Sequence, residues 1–144
     1  MLKTRLLHPE ILAALAASGH FSQVLIADGN FPVAGNRGPN ARIVHLNLAP
    51  GVLYALTVLD VLLEIIPVQA ATVMQPPADF RPPLHAVYRE KLGPGVAWQE
   101  MERWAFYEKI ASPRTTLLIA TAEQGRFANL LLEIGVVKLA SENF

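Results

Sequence analysis

The segment Val24–Pro32, with the sequence VLIADGNFP, is the part of the chain that most directly indicates the fold. Its first four residues form an uninterrupted apolar run, which is typical of a strand buried on both faces. Asp28 ends that run, and the residues from Gly29 to Asn40 are rich in Gly, Pro and Asn, which favour loops. The segment therefore predicts a buried strand with a carboxylate at its carboxyl end.

Further apolar runs alternate along the chain with segments that have helical spacing. The runs predict strands at 42–46, 68–74 and 115–121, and a last strand or pair of strands within 130–137. The helical spacing predicts helices at 9–19, 50–63, 84–92 and 98–110. This alternation implies an α/β fold with a mostly parallel sheet. Because such sheets bind ligands beyond the carboxyl ends of their strands, Asp28 and Glu123 become candidate site residues.

Composition is that of one folded domain spanning residues 1–144. Apolar residues make up 52% of the 144 residues, which is enough for a substantial core. Twelve basic and twelve acidic residues give a net charge of zero, which argues against binding nucleic acid or an anionic membrane surface. No apolar stretch reaches 18 residues and the N-terminal run has no clean signal-peptide core, so we expect a soluble cytoplasmic protein.

Most motifs that bind cofactors or metals are missing from the sequence. The absence of cysteine excludes disulfides, thiolate nucleophiles and cysteine metal sites. The glycines fit neither a dinucleotide-binding fingerprint nor a P-loop, and there is no G-x-S-x-G nucleophile elbow. The four histidines are far apart in the sequence and include no H-E-x-x-H motif. We therefore expect neither a cofactor nor a metal.

One pair of polar residues has acid–base character. His20 and Asp28 flank the first predicted strand, and histidine is the side chain most easily poised for proton transfer near neutral pH. The same residues also fit structural roles, with His20 capping a helix carbonyl and Asp28 forming a turn. From the residues alone, both interpretations stay open.

Four segments carry a resemblance that covers nearly the whole chain. They are Gly19-His20, the DGNFP of residues 28–32, the ERWAFYE of residues 102–108 and the TAEQGRFAN of residues 121–129. In this order and spacing they resemble the ribose pyranase / fucose mutarotase family (RbsD and FucU), and its fucose mutarotase branch most of all. The resemblance implies a Rossmann-like fold of three layers, in which helices flank the sheet. It also implies ring-shaped homo-oligomers, such as octamers or decamers.

The resemblance further implies an isomerase that interconverts sugar anomers, or pyranose and furanose forms, without a cofactor. His20 would be the general acid, and Asp28 would hold sugar hydroxyls. The residues implied to line or close the pocket are Arg103, Phe127, Ala128 and Asn129. Whether the last three close it within one chain or across a subunit boundary stays open.

Phe127 departs from the family pattern, which has a tyrosine at that position. The leading hypothesis is a monosaccharide mutarotase or pyranase acting on a fucose- or ribose-like sugar by acid–base ring opening. The loss of the tyrosine hydroxyl motivates an alternative, a non-catalytic sugar-binding or regulatory member of the family. A third hypothesis is an oligomeric scaffold whose pocket is incidental.

Overall fold

Strands and helices alternate along residues 1–142, which are the residues that the computed structural model describes. The helices are α1 (Pro9–Ala17), α2 (Ala55–Leu63), α3 (Pro83–Leu92) and α4 (Arg103–Ile110). The strands are β1 (Gln23–Ala27), β2 (Arg42–His45), β3 (Val68–Met74), β4 (Ala97–Met101), β5 (Thr115–Ala120) and β6 (Leu130–Ile134). Within residues 1–142, no helix has the length and apolar character needed to cross a membrane.

The strands form one sheet in the order β2-β5-β1-β6-β3-β4. The pairs β1–β5, β2–β5 and β3–β4 are parallel, whereas β6 runs antiparallel to both β1 and β3. Five strands therefore point one way and β6 points the other, which confirms the predicted mostly parallel sheet. The carboxyl ends of the five strands share one edge with the amino end of β6. We call this the carboxyl edge, and the opposite one the amino edge.

Helices cover both faces of the sheet. Apolar side chains of α1, α2 and α3 pack on one face, and those of α4 pack on the other. Residues 24–27 of β1 are consequently fully buried, as the uninterrupted apolar run predicted. Each buried Val, Leu or Ile side chain contributes about 1.5–3 kcal/mol through the hydrophobic effect. The predicted three-layer α/β arrangement is confirmed.

The helix predicted over 98–110 is wrong in its first part. Residues 97–101 form β4, an edge strand that pairs in parallel with β3, and α4 begins only at Arg103. The Glu102 carboxylate accepts hydrogen bonds from the backbone N–H groups of Trp104, at 2.9 Å, and Ala105, at 3.2 Å. This N-cap places the boundary between strand and helix. Pairing with β3 outweighs the helical spacing of residues 98–101, because a sheet neighbour satisfies their backbone groups.

Two other boundaries differ from the prediction. The second helix starts at Ala55 rather than near Pro50, and the buried Glu123 carboxylate accepts a hydrogen bond from the Ala55 N–H at 3.3 Å. The last strand ends at Ile134, so Val136 and Val137 are not part of it. At the start of α2, a contact made by a distant part of the chain determines where the helix begins.

Candidate functional site

A cavity of about 400 Å³ opens at the carboxyl edge. Its wall comes from the loop after β1, the end of β3, the first turns of α4 and the segment that leads into β6. The polar and charged side chains of the wall are Asp28, Asn30, Arg103, Tyr107, Arg126 and Asn129. Small-molecule sites commonly have volumes of about 300–1,000 Å³, with a few polar groups among apolar ones. The cavity is thus of the right size for one small ligand.

Asp28 is the most extensively hydrogen-bonded side chain in this wall, and it is 4% exposed. Its Oδ1 accepts from the Asn30 N–H at 3.0 Å. Its Oδ2 accepts from the Ala128 N–H at 3.2 Å and from Asn129 Nδ2 at 3.0 Å. Because a carboxylate offers about four acceptor positions, these three bonds leave roughly one for a ligand hydroxyl.

Burial raises the pKa of Asp28 above its usual 3.8. The backbone N–H groups of Asn30 and Ala128 act in the opposite direction, and the negative charge of Glu123 adds a smaller increase. Asn129 also accepts a hydrogen bond from the Asp28 N–H, at 2.8 Å, so the two residues hold each other on both sides. The carboxylate therefore has a defined direction.

Two side chains of α3 support the segment that faces Asp28. The Tyr88 hydroxyl donates to the Ala128 carbonyl at 2.8 Å. His85 Nε2 lies 2.8 Å from the Phe127 carbonyl, and because a carbonyl can only accept, this nitrogen carries the proton. The two residues are three positions apart and so share one face of the helix. No role for His85 follows from the sequence, whereas in the structure its side chain supports the site.

The segment before β6 needs this support because its backbone is strained. Phe127 has φ = +58°, in the left-handed region that L-residues other than glycine seldom adopt. Burial lowers the pKa of His85, although its bond to the Phe127 carbonyl raises the pKa in part. A neutral His85 that donates through Nε2 thus helps hold Phe127 in its unusual conformation.

Helix α4 contributes Arg103 and Tyr107 to the cavity wall. The two residues are four positions apart, so they lie on the same helix face. The Tyr107 ring meets the Phe31 ring edge-on at 5.2 Å, and the Trp104 ring meets Tyr107 edge-on at 5.7 Å. The wall is therefore aromatic beside the arginine, and it holds a phenol hydroxyl although position 127 has none.

Glu123 lies at the same edge but is not part of this wall. Its Oε1 accepts from the Gly125 N–H at 2.9 Å, and its Oε2 accepts from the Ala55 N–H at the start of α2. Both carboxylate oxygens therefore bind backbone groups, which gives Glu123 a structural role.

His20 lies at the amino edge, on the far side of the sheet from the cavity. β1 has five residues and spans about 16 Å at 3.3 Å per residue, and it separates His20 from Asp28. His20 Nε2 donates to Gln69 Oε1 at 2.9 Å, and Gln69 Nε2 donates to Glu133 Oε1 at 2.6 Å. The Phe21 ring stacks on His20 at 3.8 Å. His20 is exposed, and these contacts hold its ring in one orientation. The hydrogen bond to Gln69 uses Nε2 and leaves Nδ1 available.

The structure brings together five of the six residues singled out in the sequence. Asp28, Arg103, Phe127 and Asn129 line the cavity, and Ala128 holds Asp28 from behind. Arg126 and Met74 also line the cavity. Neither is among the residues predicted from the sequence, although Arg126 directly precedes Phe127 and Met74 ends a predicted strand. Within residues 1–142, no group of three or more His, Asp or Glu side chains could hold a metal ion.

Comparison with known proteins agrees with this geometry. The model of the RbsD / FucU transport protein family matches residues 1–137. The chain belongs to this family. The D-ribose pyranase of Geobacillus kaustophilus (strain HTA426) is 30% identical over 144 residues, which cover 100% of each chain. The resemblance found in the four sequence segments is therefore confirmed.

Solved structures of RbsD / FucU proteins share the fold. FucU from Bifidobacterium longum is 33% identical, with a TM-score of 0.75, over 91% of this chain and 95% of that chain. The fucose mutarotase from Streptococcus pneumoniae, solved in complex with L-fucose, is 23% identical, with a TM-score of 0.78, over 91% and 94%. The D-ribose pyranase and the fucose mutarotase are isomerase-type sugar enzymes. This RbsD / FucU protein places its polar cavity where the parallel strands of its sheet end.

Proposed function

We propose that the protein is a monosaccharide mutarotase or pyranase that interconverts the ring forms of a fucose- or ribose-like sugar. The observation that carries the proposal is the buried Asp28 carboxylate, which faces a cavity of about 400 Å³ with one acceptor position left. A sugar hydroxyl is a suitable donor for that position. The names of the relatives, D-ribose pyranase and fucose mutarotase, point to the same chemistry.

Opening a cyclic hemiacetal requires two proton transfers. One group takes the proton of the anomeric hydroxyl while another donates a proton to the ring oxygen, and the bond between the anomeric carbon and the ring oxygen breaks. The aldehyde then turns about one bond and closes again. In this proposal Asp28 fixes the sugar through its hydroxyls, and Arg103 donates hydrogen bonds to sugar oxygens. These residues orient the sugar so that only proton transfer is left to be supplied.

His20 supplies a proton in this proposal, as the general acid. Because β1 separates it from the cavity of its own chain, it acts in the cavity of a neighbouring copy. Its bond to Gln69 keeps one proton on Nε2, so the proton that the imidazolium form carries on Nδ1 is the one donated to the sugar ring oxygen, while solvent water takes the proton of the anomeric hydroxyl. Glu133 in turn holds Gln69. This arrangement resembles that of a positioned acid–base group more than that of an ordinary surface histidine.

Exposed aromatic residues beside both halves of the proposed site support assembly into a ring. Phe21, next to His20, is 46% exposed, and Trp104, next to Arg103, is 69% exposed. Exposed large apolar groups commonly mark protein interfaces. A homo-oligomer that joins the amino edge of one copy to the carboxyl edge of the next would cover both residues.

A second candidate function is sugar binding without catalysis. It is favoured by Phe127, whose ring lines the cavity without the hydroxyl that the family pattern has at this position. This candidate predicts saturable sugar binding with no acceleration of anomer exchange.

Exchange NMR on the purified protein tests the two candidates. One anomeric proton of L-fucose, D-ribose, D-galactose or D-glucose is saturated, and the transfer of saturation to the other anomer is measured. Transfer above the spontaneous rate for one sugar is the expected result. His20→Ala should lower the accelerated rate by about 10²–10⁴-fold, which is the usual contribution of a general acid or base. His45→Ala, a change at an exposed histidine of β2, is the matched control and should leave the rate unaltered.

Subunit mixing tests whether His20 acts across an interface. His20→Ala and Asp28→Ala are each inactive in the proposal, but co-expression would place an intact His20 beside an intact Asp28 in about a quarter of the sites of a randomly mixed ring. Recovery of activity in the mixture is expected. A monomer in light scattering, or a mixture as inactive as its components, would contradict the shared site.

A further inference from the structure

The cavity wall has an excess of positive charge. Arg103 and Arg126 both line it, together with a single carboxylate, that of Asp28. The ion pairs formed within residues 1–142 are Arg5–Glu64 and Lys91–Asp60. Neither cavity arginine therefore forms an ion pair with a carboxylate of the described residues. The three N–H groups bound to Asp28 come from other residues. The wall thus holds two cations and one anion.

The Arg126 guanidinium is positioned by aromatic rings. Its central carbon lies 4.4 Å from the centroid of the Phe80 ring and 6.0 Å from that of Phe127, within the range of cation–π contacts. The two rings are 5.9 Å apart. Phe80 lies in the proline-rich loop between β3 and α3, and the carbonyl of Phe127 is held by His85. Both rings therefore stand on restrained backbone.

Contact with the rings leaves the hydrogen-bonding capacity of this guanidinium intact. The five N–H groups of arginine point outward in the plane of the group, and a cation–π contact does not consume them as hydrogen-bond donors. An in-plane pair of N–H groups matches the two oxygens of a carboxylate or phosphate. A neutral sugar does not require a second cation, because Asp28, Arg103 and the side-chain amides of the wall can already form hydrogen bonds with its hydroxyls.

We propose, on the basis of the proposed function, that the substrate is an anionic monosaccharide whose carboxylate or phosphate is bound by Arg126. The sugar ring lies between Arg126 and Asp28, because the Asp28 carboxylate accepts hydroxyls and repels a second anion. The substrate class is therefore a sugar acid or sugar phosphate with a free anomeric carbon. Arg126 determines specificity and takes no part in proton transfer.

A series of sugars that differ at carbon 6 tests this inference. Carbon 6 is a methyl group in D-fucose and a hydroxymethyl group in D-galactose. It is a carboxylate in D-galacturonate, and it carries a phosphate in D-galactose 6-phosphate. For each sugar, kcat/KM for anomer exchange is measured by exchange NMR, and the dissociation constant by calorimetry. We expect kcat/KM for one anionic sugar to exceed that for D-galactose by about 10- to 150-fold, the range for a hydrogen bond to a charged group. The two anionic members distinguish carboxylate from phosphate.

Variants assign the preference to Arg126. Arg126→Gln should lower the ratio of kcat/KM for the anionic sugar to that for D-galactose by at least tenfold. A rise in salt concentration should lower the same ratio, because salt screens the ion pair between Arg126 and the anionic group. Arg81→Gln removes an exposed arginine of the same proline-rich loop that does not line the cavity, and it should leave the ratio unchanged.

The two proposals fail in different ways. Catalysed exchange with equal kcat/KM for D-galactose and both anionic sugars would overturn the anionic substrate and leave the mutarotase standing. Preferential binding of an anionic sugar without accelerated exchange would support the role of Arg126 and overturn the mutarotase. An anionic preference that survives in Arg126→Gln would overturn the assignment to Arg126.

Discussion

Replacing Tyr88 by phenylalanine should both destabilise the protein and weaken the site, because one hydroxyl links the core to the cavity. The Tyr88 side chain is fully buried, and its hydroxyl donates to the Ala128 carbonyl at 2.8 Å. The N–H of the same residue, Ala128, donates to Asp28. Tyr88→Phe keeps the ring and removes only the hydrogen bond.

The expected size follows from the carbonyl that is left behind. A buried polar group without its partner costs about 1–3 kcal/mol of the free energy of unfolding. With a urea dependence of about 1–3 kcal/mol per molar, the midpoint of unfolding should fall by roughly 1 M. Loss of the bond also frees the Ala128 backbone that orients Asp28, so the dissociation constant for the sugar should rise.

Urea unfolding followed by circular dichroism, together with calorimetric sugar binding, measures both effects. Tyr54→Phe is the control, because it removes a hydroxyl from an exposed tyrosine at the start of α2 and should change the stability by less than about 0.5 kcal/mol. If Tyr88→Phe and Tyr54→Phe unfold at the same urea concentration, the Ala128 carbonyl does not depend on Tyr88. The support assigned to α3 would then be refuted.

Two further predictions concern a close backbone approach and a buried histidine. A Cβ at Gly38 would lie 2.7 Å from the Ala111 carbonyl oxygen, so Gly38→Ala should lower the free energy of unfolding by about 1–3 kcal/mol, measured by thermal unfolding. Gly35→Ala is the control and should be near neutral, because a Cβ there would meet no neighbouring atom within 4 Å. Equal losses of stability in the two variants would contradict the close approach at Gly38. Burial lowers the pKa of His85 below its usual 6.5, so as pH falls below 6.5 the unfolded chain takes up a proton that the folded chain does not, and the free energy of unfolding decreases. His85→Gln keeps an N–H donor and should remove that part of the decrease; urea unfolding with the same pH dependence in both proteins would show that His85 is not its source.

The α/β character and the position of Asp28 follow from the sequence by itself. Residues 24–28 form a local pattern, an apolar run that ends in a carboxylate. An uninterrupted apolar run of this length is typical of a strand buried on both faces of a parallel sheet, and this places Asp28 at the carboxyl end of the strand. The order of the four segments from Gly19 to Asn129 also lies entirely in the sequence, and it indicated the family correctly. Neither conclusion needed knowledge of which strand pairs with which.

Only the tertiary structure decided how the site is assembled. The antiparallel entry of β6 between β1 and β3 brings Ala128 and Asn129 against Asp28, about a hundred positions earlier in the chain. Such pairing depends on long-range backbone hydrogen bonds that leave no periodic signal in the sequence. The helix prediction for residues 98–101 is wrong because the pairing of β4 with β3 is a contact of this kind. The contact of Arg126 with Phe80 likewise arises only when distant segments meet, because charge and aromatic contacts depend on position in space rather than on spacing in the chain.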